Sequence, residues 1–166
     1  MATDARWLNE EEQDLWRAML ATTRKINRAM DETLQAGTDL STSEFSVLVS
    51  LSESEDCEMR LRDLCTDLDW DRSRTSHQIT RMERRGLVEK RKSPGDGRGV
   101  VVSLTEEGMR RLEQAAPAHV ESVRRLVFDH MHPEDVEHLR RWMDGVAQVN
   151  NVPGTAGFNG AVNAKA

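Results

Sequence analysis

A chain of 166 residues is long enough for one domain, or for a domain plus a dimerisation element, and for a sizeable core. No apolar run approaches the roughly 20 residues of a membrane span. Asp4, Arg6, Glu10, Glu11 and Glu12 interrupt any signal-peptide-like stretch, so a cytoplasmic protein without membrane contact is expected. The net charge of −6 argues at first against nucleic acid, but its distribution reverses that. Between Arg72 and Arg98 nine basic residues stand against three acidic ones, a local +6 that leaves −12 for the rest. Such segregation is an electrostatic footprint, and the local field matters more than the total.

Along the chain, Leu15, Trp16, Met19, Leu20, Thr23, Ile26, Met30 and Leu34 recur at three- and four-residue steps and predict a first long helix over about 10–35, with Gly37 as its stop. Ser41–Glu44 is a capping box opening a second helix with Phe45, Val47, Leu48 and Leu51. A polar loop follows over 52–58. Leu61, Leu64, Cys65 and Leu68 mark a short third helix. Asp71 is a good N-cap for a fourth, with Thr75, Ile79 and Met82 on its inward stripe and Gly86 at its C′ position. Leu87–Lys92 and Val100–Leu104 are two β-prone runs joined by the Gly-rich Ser93–Gly99 loop, a hairpin pattern. A fifth helix starts near Thr105, with a seam at Met109, Leu112, Ala116, Val120, Val123 and Val127. Pro117 should kink or divide it. Pro133 suits the first turn of a sixth helix, which carries Val136, Leu139, Trp142, Met143, Val146 and Val149. From Asn150 onward the tail is expected to be disordered.

A basic helix followed directly by a basic hairpin suggests a winged helix, with one element for each groove of double-stranded DNA. The expected fold is mainly α with a small β-hairpin wing: a winged helix-turn-helix domain over 37–104, flanked by an N-terminal dimerisation helix over 1–36 and C-terminal dimerisation helices over 105–149, with the tail at 150–166. The end helices have more apolar surface than the small core needs, so a symmetric homodimer reading two half-sites is expected. The rival reading is a winged-helix module that binds protein rather than DNA; steep salt dependence of DNA affinity separates the two.

Segments 40–48, 68–88 and 96–108, in this order, resemble the multiple-antibiotic-resistance regulator (MarR) family of bacterial transcription factors over about residues 10–149. Thr75 and Gln78 depart from the aliphatic residues common there, which leaves open whether Gln78 is buried or reaches DNA. Gly99 stands where a second wing arginine is frequent. The resemblance implies a repressor released by a small-molecule effector or by thiol oxidation.

Arg74 and His77 are the expected base contacts, Ser73, Ser76 and Thr80 serve phosphates or bases, and Arg72, Arg84 and Lys92 serve phosphates. Arg98 is expected in the minor groove, oriented, by analogy with the family, by Asp96. The family's ligand cleft would be lined here by Trp16, Met19, Ile26, Met30, Phe45 and Trp70. Cys57, in a polar loop near Arg60 and Arg62, is the alternative redox sensor, whereas Cys65 is expected to be buried and inert. Neither cysteine lies in a zinc pattern, and His130, His132 and His138 lack metal-site spacing. No nucleophile–base pair, Walker loop or dinucleotide fingerprint is present, so neither an enzyme nor a cofactor is expected.

Overall fold

A computed structural model describes residues 5–93 and 99–154. Helix α1 spans Glu10–Thr38 and opens on a capping box between Asn9 and Glu12. It passes through Gly37 and stops where Asp39 turns left-handed (φ 56°). Two turns before its end Asp31 accepts from the Thr42 amide and hydroxyl at the start of the next helix, and Thr38 is buried with its hydroxyl donating to the Leu34 carbonyl at 2.9 Å. Asp tolerates the left-handed region better than most residues, so no glycine is needed there.

Helix α2 (Thr42–Ser52) begins with the expected Ser41–Glu44 box. Phe45, Val47, Leu48 and Leu51 are all buried, as in a helix apolar on most sides. The polar run after it is not simply a loop. It holds a 3-10 turn at Glu55–Cys57 and a short strand, β1, at Glu58–Arg60. Three residues in a polar run carry no alternation of their own. The strand exists because the edge of the hairpin recruits it, pairing Glu58 with Ser103 and Arg60 with Val101.

Helices α3 (Leu61–Asp67) and α4 (Arg72–Arg84) form the helix-turn-helix, followed by β2 (Val88–Lys92) and β3 (Val100–Leu104). The sheet is antiparallel in the order β1-β3-β2, with Val88 opposite Leu104 and Lys92 opposite Val100. Leu64, Ile79, Met82, Val88, Val102 and Leu112 close around α2 in one core. Gln78 belongs to it: the residue is 4% exposed and its amide oxygen accepts from Arg81, so it does not face outward.

Helix α5 (Glu106–Leu126) runs unbroken through Pro117, whose ring lies on an exposed side. Its inward face is also not the expected one. Gly108, Leu112 and Ala115 are buried, His119 stacks on Phe45 with ring centroids 4.4 Å apart, and Ser122 shares a 2.9 Å hydrogen bond with Thr33 of α1. Of the expected seam, Leu112 is buried, whereas Val120 is 54% exposed. His119 and Ser122 thus face inward, Ser122 with a hydrogen-bond partner and His119 against an aromatic ring, its Nδ1 buried without a hydrogen bond, and part of the apolar seam is left outside.

Two compact units result, one ending at Leu126 and the other starting at Val127. The second contains a 3-10 turn (Phe128–His130) and α6 (Pro133–Ala147), which has Pro133 in its first turn and no buried side chain. The expectation of disorder beyond Gly154 lies outside the described residues.

Two outcomes follow from this packing. A Cβ at Gly108 would stand 2.1 Å from the Leu87 carbonyl oxygen and 2.8 Å from Leu104 Cδ1. Gly→Ala inside a helix gains up to about 1 kcal/mol, but overpacking against backbone costs about 1–3 kcal/mol. Gly108→Ala is therefore expected to lower the urea midpoint, and a higher midpoint would contradict the close approach. Burial holds the His119 imidazole below its ordinary value of 6.5. A depressed folded-state value means that stability is complete above pH 6.5 and falls as the pH drops through the folded-state value. His119→Phe should flatten that acid-side loss of thermal midpoint while leaving the midpoint at pH 8 close to wild type.

Candidate nucleic-acid interface

The turn between α3 and α4 is built from backbone and caps. Helix α3 ends in a Schellman-type closure: the Trp70 amide donates to the Cys65 carbonyl (3.0 Å) and the Asp69 amide to Thr66 (3.2 Å). Asp69 takes the left-handed position (φ 51°). Asp71 then caps α4, its Oδ1 accepting from the Arg74 amide at 2.8 Å. The amides of Arg72 and Ser73 belong to the first turn, which has no intrahelical acceptors for them, so they point out of the helix end. A helix N-terminus of this kind attracts phosphate and electronegative base edges.

Thr75, Gln78, Ile79 and Met82 turn inward. Arg72, Ser73, Arg74, Ser76, His77 and Arg84 are exposed on the other face. Thr80 is half-buried, and its hydroxyl is engaged: it donates to the Ser76 carbonyl (2.9 Å) and accepts from Lys90 Nζ (3.2 Å). Lys90 also pairs with Glu83 at 2.9 Å, so this lysine ties β2 to α4. Lys92 is exposed at the end of β2. Arg74 folds back over the Trp70 ring, with its guanidinium carbon 4.2 Å from the ring centre. Asp96 and Arg98 lie outside the described residues.

The far end of α4 is tied down. Gly86 (φ 72°) makes the turn, with its amide donating to Glu83 and the Leu87 amide to Met82. Arg85 reaches Glu44 of α2 at 2.6 Å and the Asp39 carbonyl at 2.8 Å. Arg84 and Arg85 are both exposed, but these bonds give Arg85 a structural role.

A cleft of about 420 Å³ lies between α3, the start of α4 and the loop end of β3, lined by Arg60, Leu61, Arg62, Cys65, Arg72, Gly99 and Val100. Three arginines line it, and the Arg62 guanidinium also pairs with Asp63 at 3.1 Å. Arg60 and Arg62 are additional interface candidates that sequence reasoning set only against Cys57; the signal was Arg-x-Arg at the opening of a helix that precedes the basic one. Both cysteines are half-buried, which corrects the expected contrast between an exposed Cys57 and a buried Cys65. Arg62 lines the cleft that holds Cys65.

The six expected ligand residues lie on α1, α2 and the turn before α4. Met30 and Phe45 are buried, Trp16 is 50% exposed on α1, Met19 and Ile26 are half-buried there, and Trp70 lies under Arg74. None of them lines the arginine cleft or the neighbouring one at Glu55, Asp56, Glu58 and Ser93. Among the described residues no cluster of His, Cys, Asp and Glu could hold a metal ion, and no helix is long and apolar enough to cross a membrane.

Residues 40–100 match the model of the MarR family. AbsC, a MarR family transcriptional regulator from Streptomyces coelicolor, is 40% identical in sequence and superimposes with a TM-score of 0.84, covering 87% of this chain and 97% of its own. Sco3205, a MarR family transcriptional regulator from the same organism whose structure is in complex with DNA, is 35% identical with a TM-score of 0.86, covering 93% and 97%. The HTH-type transcriptional repressor YetL of Bacillus subtilis is 26% identical over 110 residues, which is 66% of this chain but only 65% of YetL, just under two thirds of its length.

Replacing the α4 cap tests this geometry. Asp71→Ala should lower stability by about 1 kcal/mol in urea denaturation, and an unchanged midpoint would mean that the Asp71–Arg74 bond contributes nothing.

Proposed function

The chain belongs to the MarR family of transcriptional regulators, and from that premise we propose that it is a repressor that binds a pseudo-palindromic operator in double-stranded DNA as a homodimer and releases it when a small-molecule effector binds. The observation that carries this reading is the exposed end of α4. Its outward residues Arg72, Ser73, Arg74, Ser76 and His77 sit at a helix N-terminus beside the three-arginine cleft.

The division of labour follows from chemistry. Arg74 and His77 read base edges in the major groove, Arg by paired donors to guanine. Arg60, Arg62, Arg72, Arg84 and Lys92 neutralise phosphates and set the register, and Ser73 and Ser76 add hydrogen bonds to either. Thr80 is better placed as part of the brace between α4 and β2, its hydroxyl being held by Ser76 and Lys90. Arg98, by its place in the sequence, serves the minor groove.

The dimer is supported by apolar helix faces left uncovered in both units: Leu15 (62%), Trp16 (50%) and Leu20 (38%) on α1, and Trp142 (48%), Met143 (55%) and Val146 (53%) on α6. Monomers rarely expose contiguous apolar patches of more than a few hundred Å². A second copy is the partner that closed point symmetry supplies most readily.

Selection from a random duplex pool tests the reading, with the mass of the recovered complex measured in parallel. The expected product is an inverted repeat with half-site centres about 10 bp apart bound by two chains. A pool without enrichment, or a one-chain complex, would overturn it. Repetition with Arg74→Ala should relax one position per half-site, at a cost of about 1–3 kcal/mol. A compound that raises the thermal midpoint and frees the selected duplex would identify the effector; if every compound that raises the midpoint leaves the duplex bound, effector release fails.

A further inference from the structure

We propose that Trp70 is a positioning residue for base readout: its ring is a fixed platform that holds the Arg74 guanidinium flat and aims its donor edge out of the helix end. The inference rests on the reading of α4 as the groove-reading helix and goes one step past it, to what keeps the reader still.

Trp70 cannot easily move. Its amide closes the end of α3 on the Cys65 carbonyl, the next residue caps α4, and its side chain is partly buried against the core. Arg74 lies in the first turn of α4, just past the Asp71 cap, and its side chain folds back over the turn that Trp70 occupies. Its guanidinium lies 4.2 Å above the ring. The Asp71 carboxylate caps the helix, its Oδ1 accepting from the Arg74 amide. Among the described residues the partner of the guanidinium is therefore an aromatic face and not a carboxylate.

That difference decides what the group can still do. A carboxylate would consume the N–H donors that a guanine edge needs. An aromatic face uses the flat of the cation and leaves the donor edge open. Stacking also removes part of the rotamer freedom that a long exposed arginine would otherwise lose on binding. Lysine at the same position would be a point charge without a flat face or a fork of donors.

The test is titration of the selected inverted-repeat duplex with wild type, Trp70→Leu, Trp70→Phe, Arg74→Ala and the Trp70→Leu/Arg74→Ala double variant. Losing part of the ordering cost of about 0.5–1.5 kcal/mol per side chain that stacking pre-empts, at each of two half-sites, corresponds to a loss of about five- to twenty-fold for Trp70→Leu. The slope of affinity against salt should not change, because no phosphate contact is removed. Trp70→Phe should restore most of the affinity. In the Arg74→Ala background Trp70→Leu should cost nothing further. Equal losses with and without Arg74, or no loss, would overturn the proposal and leave Trp70 as packing alone. If Arg74→Ala itself leaves affinity and sequence preference intact, the reading of α4 fails instead. A measurement on the unaltered protein covers the case in which Trp70→Leu does not fold: the Arg74 Nε–H resonance should be shifted upfield by the ring in the free protein and remain so on DNA. An unshifted resonance would overturn the platform.

Discussion

Glu44 is a buried acid on an apolar helix, its side chain 8% exposed, and a carboxylate in that position costs several kcal/mol unless it is paired and hydrogen-bonded. Here it is satisfied three ways. It closes the α2 capping box on the Ser41 amide at 2.9 Å, accepts from the Ser41 hydroxyl at 3.2 Å, and takes the Arg85 guanidinium at 2.6 Å. The same arginine donates to the Asp39 carbonyl at the end of α1. One buried charge therefore joins the stop of α1, the start of α2 and the end of α4. Arg85 is about one third exposed, so screening discounts the pair's own energy. The positional consequence is larger, because α4 cannot rotate to present other residues without stranding that charge.

With its far end anchored, α4 presents a narrow set of groups at its near end. The Asp71 cap directs the helix amides outward, and the stripe from Thr75 to Met82 fixes the rotation about the helix axis by burial. Lys90 braces the hairpin against the same helix through Glu83 and Thr80. The arginines that line the cleft between α3, α4 and β3 belong to a chain of net charge −6, in which the segment from Arg72 to Arg98 is a local excess of positive charge. That arrangement favours a polyanion there and opposes nonspecific association elsewhere.

What the sequence made legible was whatever depends on local chemistry. The Ser41–Glu44 box, the Asp71 cap and Gly86 in its left-handed position all follow from residues within a few positions of one another. What it hid depends on partners far along the chain. Strand β1 forms only because β3 offers an edge, and Glu58 is held there by Arg91 and Ser103. Helix α1 passes Gly37 and ends at Thr38, which is buried with its hydroxyl on the Leu34 carbonyl. Helix α5 tolerates Pro117 because Ala115 is packed before it and His119 and Ser122 are engaged after it, which overrides a local penalty of about 3 kcal/mol. The periodic pattern of α5 missed His119 and Ser122 because polar residues with partners can face inward. In the interface, the outward set of α4 was readable from spacing, whereas Arg60 and Arg62 were not, because their relation to Arg72 is made by the turn between the helices.

The salt dependence of affinity for the selected duplex tests the central claim most directly. With the arginines of both protomers on phosphates, about 6–10 neutralised charges give a slope of log K against log salt of roughly −5 to −9. A slope shallower than about −2 would mean that this face does not meet a phosphate backbone, and the winged helix would then be a protein-binding module.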